Sequence, residues 1–211
     1  MGRRVTADLL RLMPGSEGHF RLESGHHANR WLDLDALFAD PARVHPFVEE
    51  LAWALRSYDI AGVCGPLQGG AFLAQLVAAA LGVEFWFTER VMPAGDDGLY
   101  RARYRLPRAL EPRVRGKRLA IVDDAISAGS AVRGTYAELE ARGAQPVVIG
   151  ALLVLGSAAS PFFAERGVPV EAVARIPFEL WAPAGCPLCA SRIPLEEPSA
   201  AGCRPARSPH L

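Results

Sequence analysis

Apolar residues recur along this chain with two alternating periods, one typical of helices and one typical of strands. Asp40 and Pro41 suit the cap and the first turn of a helix. After them, apolar side chains recur at helical spacing, which predicts a core-facing helix with the stripe Val44, Phe47, Val48, Leu51 and Leu55. We also expect three large aromatic residues to lie in the core rather than to stack on a ligand: Trp31, Phe47 and Trp53.

Four short apolar runs predict buried strands, at residues 60–64, 83–87, 118–122 and 146–155. The first run leads through a glycine-rich loop into a helix-compatible segment at 71–81, and the third leads through a loop of small residues into another helix. Strands joined through helices normally lie parallel. The pattern therefore predicts an α/β fold with a mainly parallel sheet flanked by helices. Ligands bind such sheets at the carboxyl ends of the strands, where both loops fall.

Two long stretches show no sustained period. Residues 89–114 are polar and arginine-rich and contain Pro93, Gly95 and Gly98, so we expect a β-hairpin with a mobile tip. The tail from residue 183 onward is rich in proline, serine and small residues, so we expect an irregular extension that frays near the C-terminus.

The composition narrows the class of protein. The 211 residues are 50% apolar, which suits a single domain with a sizeable core. Acidic and basic side chains number 23 each, so no overall field favours nucleic acid or an anionic membrane as a partner. The apolar run at 147–155 is too short to cross a bilayer and the N-terminus lacks the order of a signal peptide, so we expect a cytoplasmic protein.

Two acidic residues and a loop of small residues follow the third predicted strand. Asp123 and Asp124 come directly after residues 118–122, and residues 127–130 open the next helix. Such a turn presents backbone N–H groups and hydroxyls at a helix N-terminus, where an anion is stabilised. Carboxylates this close to a phosphate need hydrogen-bond donors between them, and adjacent ribose hydroxyls can supply these. The segment therefore predicts a sugar-phosphate site, and the alternative is an ordinary capped turn between a strand and a helix.

The segment 118–131 resembles the ribose-phosphate signature of type I phosphoribosyltransferases, which runs from an apolar strand through two acidic and two apolar residues into a Ser/Thr-small-Gly-Ser/Thr loop. Further segments are similar to the orotate phosphoribosyltransferase branch: a base-side segment, a diphosphate loop, the start of a hood and a tail, at 18–33, 65–70, 89–90 and 186–195. The resemblance extends over about 18–198. It implies one domain at 1–211, with a core at about 40–175 and a small hood from about 1–39 and 176–211.

The resemblance implies transfer of the 5-phosphoribosyl group from 5-phosphoribosyl 1-diphosphate (PRPP), bound with Mg²⁺, to a base nitrogen, with orotate as the leading acceptor, in pyrimidine nucleotide synthesis. It assigns Asp123, Asp124 and Arg90 to catalysis, and the acidic pair to the ribose hydroxyls. The other implied PRPP contacts are Leu67, Gln68, Gly69, Ala125, Ile126, Ser127, Ala128, Gly129, Ser130, Ala131, Arg101 and Arg103. The implied base contacts are Ser24, Gly25 and Ser127.

The same resemblance carries two structural expectations. The diphosphate loop of this family often contains an unusual peptide geometry that turns N–H groups inward, so we expect one at Leu67 and Gln68. A hood of this family often reaches the site of a neighbouring subunit, so we expect a homodimer.

The chain departs from the family pattern at three places. Before Arg30 it reads His26-His27-Ala28-Asn29, where the family tends to have a basic residue and a serine. Its predicted hood contains arginines where many orotate enzymes have a lysine, and Lys117, the only lysine, precedes a strand. After the fourth strand it reads Val154-Leu155-Gly156-Ser157, where the family usually has an Asp-Arg pair whose arginine helps to recognise the orotate carboxylate. Two alternatives therefore stay open: a phosphoribosyltransferase for another base, and a non-catalytic regulator that binds PRPP or a nucleotide.

Cysteine spacing raises the question of a metal. Cys186 and Cys189 have the spacing of a zinc knuckle, and Cys203 with His210 could complete a tetrahedral site. The alternative is that these are ordinary packed or surface thiols. His26 and His27 suit either a solvated loop or the base site.

Overall fold

The computed structural model describes residues 2–34, 36–93 and 98–197. The α-helices in these ranges are α1 (Gly2–Leu10), α2 (Pro41–Leu55), α3 (Gly69–Leu81), α4 (Glu111–Val114), α5 (Ser130–Ala141), α6 (Ser160–Ala164) and α7 (Pro187–Ala190). The strands are β1 (Gly15–Arg21), β2 (His27–Leu32), β3 (Gly62–Pro66), β4 (Glu84–Val91), β5 (Arg103–Arg105), β6 (Arg118–Ile126), β7 (Gln145–Leu155), β8 (Val170–Ile176) and β9 (Leu180–Trp181). Two 3₁₀ turns occupy Arg56–Tyr58 and Pro183–Gly185.

The main sheet has the strand order β5-β4-β3-β6-β7-β8. All neighbouring pairs are parallel except β4 with β5, which is antiparallel. The α/β fold with a mainly parallel sheet flanked by helices is therefore confirmed. The strand order brings the ends of β3 and β6 side by side, and the glycine-rich loop and the loop of small residues follow these two strands.

The first predicted helix is α2. Asp40 caps it by accepting a hydrogen bond from the Ala42 N–H at 3.1 Å, and the predicted apolar stripe is buried. The expectation for Trp53 is wrong, because 72% of this side chain is exposed. Trp53 is two positions from both Leu51 and Leu55, and at about 100° per residue it therefore lies on the opposite side of the helix.

Side chains pack on both faces of the main sheet. Along β6, Ala120 and Val122 enter one apolar cluster, while Leu119 and Ile121 enter the other, as strand alternation requires. Leu9 and Met13 pack in the first cluster together with α2 and α3. The segment that contains α1, assigned to the hood from the sequence, thus contributes to the main core.

A second, three-stranded antiparallel sheet with the order β1-β2-β9 forms the hood. The tail is irregular, as expected, but it docks on this sheet. The Arg21 N–H donates to the Glu196 carbonyl, and the Glu196 N–H donates to the His19 carbonyl. The expected fraying of the tail falls on residues 198–211, which lie outside the described residues.

Two predicted strands are longer in the structure. Strand β6 continues past residue 122 to Ile126 because β7 pairs with it as far as Val154, so Asp123 and Asp124 lie in the strand itself. Strand β4 continues to Val91 and pairs with β5, which confirms the hairpin. The expected mobile tip includes residues 94–97, which lie outside the described part of the chain. Among the described helices, none is both long and apolar enough to span a membrane.

Candidate active site

The loop between β6 and α5, residues 127–130, has the geometry of an anion site. Gly129 adopts a left-handed conformation with φ 78°, which glycine tolerates at little cost. A Cβ atom there would lie 2.8 Å from the Ala159 Cβ. The turn leads directly into α5, whose first N–H groups have no partner within the helix and carry partial positive charge.

Asp123 and Asp124 are each 8% exposed at the end of β6. The Asp123 Oδ1 accepts a hydrogen bond from the Asp124 N–H at 3.1 Å, and the Asp124 Oδ1 accepts one from the Ala125 N–H at 2.7 Å. Burial raises the pKa of Asp123 well above its usual value, and the negative charges of Asp124 and Glu23 raise it further. A partner that donates hydrogen bonds or brings positive charge would therefore stabilise the ionised form of Asp123.

The turn from β3 into the start of α3, residues 67–70, lies against the acidic pair. A Cβ atom at Gly69 would lie 1.8 Å from the Asp124 Oδ2, and one at Gly70 would lie 2.6 Å from the Asp123 Oδ1. Glycine is required at both positions because any side chain would displace a carboxylate. The structure thus brings together the two loops that the sequence singled out.

The peptide bond between Leu67 and Gln68 is cis, which confirms the unusual peptide geometry expected there. The inward-turned N–H is not found at Leu67, however. Its N–H donates to the Thr88 carbonyl of β4 at 2.8 Å and so belongs to the hydrogen bonding of the sheet edge.

Glu23 connects the hood to the site, and sequence reasoning gave it no role. Its Oε1 accepts hydrogen bonds from the Tyr104 hydroxyl at 2.8 Å and from the Ser130 hydroxyl at 3.1 Å. Its Oε2 accepts one from the Arg90 Nη1 at 2.9 Å. Arg90 and Tyr104 are cross-strand partners on β4 and β5, so one carboxylate joins the hood, the hairpin and the loop before α5. Glu23 lies within the segment 18–25 that resembled the family, but its partners are 67 to 107 positions away along the chain.

Burial and the Glu23 charge both raise the pKa of Tyr104, so its hydroxyl stays protonated and remains a donor. Tyr104 is nearly fully buried, at 4% exposure. The hydrogen bond from the Tyr104 hydroxyl therefore holds the Glu23 carboxylate in place.

The implied base contacts lie under the hairpin. Ser24 is buried, and its carbonyl accepts a hydrogen bond from the Tyr100 N–H at 2.9 Å. Gly25 has φ 82°, and a Cβ atom there would lie 3.1 Å from Leu99. His26 Nδ1 lies 3.1 Å from the Ser24 hydroxyl, so His26 belongs to this same loop. Ser127, the third implied base contact, directly follows β6 and is partly exposed.

Arg101 and Arg103, the other two arginines assigned to PRPP, lie in different places from Arg90. Arg103 is exposed on β5 and lines a cleft of about 1230 Å³ between β5 and α5. Of the residues assigned to PRPP, the wall of this cleft contains Arg103 and Ser130. Arg101 precedes β5 and is partly buried. Arg90, by contrast, lies at the acidic end of the site, where it donates a hydrogen bond to Glu23.

The end of β7 is apolar. Val154 and Leu155 are 3% and 6% exposed and belong to the two core clusters. Gly156 has φ 68°, and a Cβ atom there would lie 2.7 Å from the Phe178 carbonyl oxygen. The segment 154–157, where the sequence departs from the Asp-Arg pair of the resembled family, therefore consists of two core side chains, a glycine and the exposed Ser157, and contains no arginine.

Cys186 and Cys189 lie beside two histidines of the hood, His19 and His27. The other two zinc ligands that the sequence suggested, Cys203 and His210, lie outside the described residues. Sequence reasoning missed the pairing of the cysteines with the histidines, because only the β1-β2 pairing and the docked tail bring the four residues together.

Comparison with known proteins agrees with this geometry. The family model of the phosphoribosyl transferase domain matches residues 38–167, a range that contains both loops and the acidic pair, and this defines the class of protein. An orotate phosphoribosyltransferase from Thermotoga maritima is 32% identical over 186 residues, which cover 88% of this chain and 92% of that protein. One from Helicobacter pylori is 32% identical over 85% of this chain and 90% of that protein. The chain belongs to the orotate phosphoribosyltransferase family, which confirms the resemblance.

Solved structures agree on the fold. The orotate phosphoribosyltransferase from Aeropyrum pernix superposes with a TM-score of 0.60 at 21% identity, covering 83% of this chain and 94% of that one. The adenine phosphoribosyltransferase from Thermoanaerobacter pseudethanolicus gives a TM-score of 0.63 at 16% identity, covering 81% of this chain and 99% of that one.

Proposed function

We propose that this protein is a pentosyltransferase that transfers the 5-phosphoribosyl group from PRPP to orotate in pyrimidine nucleotide biosynthesis. One observation carries the proposal. The glycine loop after β3 contacts the buried pair Asp123 and Asp124 at the end of β6. The end of β6 in turn leads into the loop that opens α5. An acidic pair between two anion-binding loops suits a sugar that has hydroxyls in the middle and a phosphoryl group at each end.

In this proposal, the loop at 127–131 holds the 5-phosphate and the acidic pair accepts hydrogen bonds from the two ribose hydroxyls. The diphosphate then faces Gly69 and its neighbours, Leu67 and Gln68, at the turn that packs against Asp124. Arg90, on β4, neutralises the diphosphate after leaving Glu23. Ser24 and Gly25 border the acceptor base.

The reaction breaks the bond between the ribose C1 and the diphosphate oxygen, which keeps the electron pair, and forms a bond from C1 to the acceptor nitrogen, which loses its proton. Positive charge develops on the sugar ring in between, so buried carboxylates on the ribose hydroxyls and cations on the diphosphate both lower the barrier. Arg90 supplies charge but no proton near neutral pH, since a guanidinium does not release its proton there.

We further propose that Mg²⁺ enters with PRPP. The carboxylate oxygens of Asp123 and Asp124 are hard donors of the type that this ion prefers, and they lie next to the diphosphate loop. When bound, the ion neutralises the departing diphosphate.

Incubation with PRPP, Mg²⁺ and a panel of bases tests the proposal, with release of diphosphate as the measurement. We expect release with orotate and not with adenine, guanine or uracil. Release with another base alone would favour the second candidate, a transferase for a different acceptor. The apolar residues Val154 and Leu155 at the end of β7 support that candidate. Saturable PRPP binding without release from any base would favour a regulator.

We also propose a single domain at 1–211, a homodimer and a cytoplasmic location. The exposed aromatic side chains of Trp53 and Phe72, 72% and 50% exposed, support a partner surface on α2 and α3. Cys64, Cys186 and Cys189 form no disulfide bond, which suits a reducing compartment. Light scattering at several concentrations tests the dimer: twice the chain mass supports it, and the mass of one chain contradicts it.

A further inference from the structure

Four potential metal ligands converge in the hood, away from the proposed PRPP site. They are His19 on β1, His27 on β2, Cys186 directly before α7 and Cys189 within it, and their donor atoms all lie within 4.8 Å of one another. The His19 Nε2 and the His27 Nδ1 are 3.1 Å apart. Cys189 Sγ lies 3.3 Å from the His27 Nδ1 and 3.7 Å from the His19 Nε2, and Cys186 Sγ lies 3.4 Å from the His19 Nε2.

The one nitrogen–nitrogen distance and the three nitrogen–sulfur distances given above are close to the edges of a zinc tetrahedron. With bonds of about 2.0 Å to nitrogen and about 2.3 Å to sulfur, two nitrogens lie about 3.3 Å apart, and a nitrogen and a sulfur lie about 3.6 Å apart. Two imidazoles and two thiolates are also the donor set that zinc prefers over magnesium or calcium.

The surroundings orient His19 for this role. Its Nδ1 lies 2.8 Å from the Ile193 carbonyl oxygen, which can only accept a hydrogen bond. The Nδ1 therefore carries the proton, and the lone pair of the Nε2 faces the cluster. His27 Nδ1 and both sulfur atoms crowd around that one lone pair. A single hydrogen bond cannot satisfy three such neighbours, whereas a cation among the four donor atoms satisfies all of them.

Burial strengthens the argument. His19, His27 and Cys186 are 1%, 5% and 4% exposed. Three polar side chains are therefore buried together between the hood sheet and the tail. Buried polar groups need partners, and a bound cation with two thiolates is a neutral arrangement that can be buried at low cost.

We propose that His19, His27, Cys186 and Cys189 form a structural zinc site. All four positions of the tetrahedron are filled by protein atoms, which is typical of a structural rather than a catalytic zinc. The ion would join the tail to the β1-β2 hairpin across as many as 170 sequence positions. That hairpin ends in the loop with Glu23, Ser24 and Gly25, so the zinc would brace the loop that borders the acceptor base.

Metal content tests the proposal directly. The full chain, purified under reducing conditions without chelators, is expected to contain about one zinc per chain. Cys189→Ser is the most conservative disruption because Cys189 is at the surface, and it should lower the zinc content at least tenfold. Cys64→Ala is the matched control, since this thiol is buried in β3 outside the cluster, and it should keep its zinc.

Cobalt provides a second readout, whose first measurement uses the wild-type protein. Wild-type protein stripped of metal and titrated with Co²⁺ should develop the visible bands of tetrahedral cobalt and a near-ultraviolet band from thiolate to metal. The thiolate band should weaken in Cys189→Ser and be unchanged in Cys64→Ala. A wild-type chain without zinc that also shows no thiolate band with Co²⁺ would overturn the proposal, as would a Cys186–Cys189 disulfide that persists under reducing conditions.

Discussion

Asp123 lies in the interior beside two other carboxylates, Asp124 and Glu23, and this environment sets its protonation. Its pKa in the folded protein is raised first by burial and then by these negative charges. Because the folded pKa lies above the unfolded one, the penalty for ionising Asp123 is absent in acid. It grows as the pH rises from about 4, the unfolded value, through the folded pKa. The ligand-free protein therefore gives up stability at neutral pH to keep a carboxylate at this place.

Asp123→Asn should remove this penalty, because the amide oxygen can still accept the Asp124 N–H hydrogen bond without carrying charge. We expect the free energy of unfolding of the ligand-free variant to exceed that of the wild type at pH 8, with the difference shrinking towards pH 4. Denaturant titration at both pH values measures this. A variant that is less stable than the wild type at pH 8 would contradict the account of Asp123.

Glu23 accepts a hydrogen bond from Ser130, one of the residues assigned to the 5-phosphate, and pairs with Arg90. A carboxylate at this position repels an incoming phosphate and holds back an arginine that the diphosphate needs. Glu23→Gln should therefore tighten PRPP binding by about 1 kcal/mol, roughly fivefold, as expected for partly exposed charges.

Calorimetric titration with PRPP and Mg²⁺ measures the change. Glu17→Gln is the matched control, because Glu17 pairs with Arg30 on the exposed part of β1 and should leave the affinity unaltered. Weaker PRPP binding in Glu23→Gln would show instead that this carboxylate supports the donor site.

Among the elements, the turn from β3 into the start of α3, residues 67–70, depends on its glycines. Gly69→Ala would place a methyl group 1.8 Å from the Asp124 Oδ2, so either the loop or the carboxylate must move. We expect a loss of about 1–3 kcal/mol of stability and at least a tenfold lower rate of diphosphate release. Gly185→Ala, at a position with open space around it, should change neither quantity. Full activity in Gly69→Ala would mean that the contact between the two loops is unimportant.

Hydrophobic periodicity predicted some of the helices and strands and not others. Strands β3, β6 and β7 and helices α2, α3 and α5 were predictable because each is a continuous apolar run or an apolar stripe at helical spacing, bordered by a cap, a glycine or an acidic residue. The ends of β4 and β6 were not, since pairing with β5 and β7 extends them past the apolar runs. Strands β1 and β2 are polar, with a shifted register between Glu17 and Phe20, so no alternation marked them.

The candidate site likewise has residues that local sequence patterns predicted and contacts that they did not. Asp123, Asp124 and the loops at 67–70 and 127–131 could be found because each is a local pattern beside a predicted strand. The contacts of Glu23 with Arg90 and Ser130, and of His19 with the cysteines, are set by tertiary pairing across long sequence separations. No local pattern encodes them.

On the scale of the whole molecule, a main sheet with apolar clusters on both faces supports a smaller hood sheet. The hood reaches the main body through the hydrogen bonds of Glu23, and its own tail docks through Glu196 and the His/Cys cluster. None of the buried residues in the two apolar clusters lies on β1, β2 or β9, so local opening should begin in the hood.

Removal of zinc should loosen the hood without unfolding the core. After chelation, we expect faster amide hydrogen exchange in β1, β2 and residues 186–196, with β6 and β7 still protected. Hydrogen-exchange mass spectrometry of the loaded and stripped protein measures this. Equal exchange in the hood before and after chelation would contradict a structural role for the ion.

The most direct test of the central claim, that Asp123 and Asp124 hold the ribose of PRPP, is calorimetric titration of Asp124→Asn with PRPP and Mg²⁺. The control is Asp8→Asn, which alters an exposed carboxylate on α1. The account predicts a loss of about 1.5–3 kcal/mol of binding free energy, roughly 10- to 150-fold, in Asp124→Asn and none in the control. An Asp124→Asn variant that is folded and binds PRPP as tightly as the wild type would contradict it.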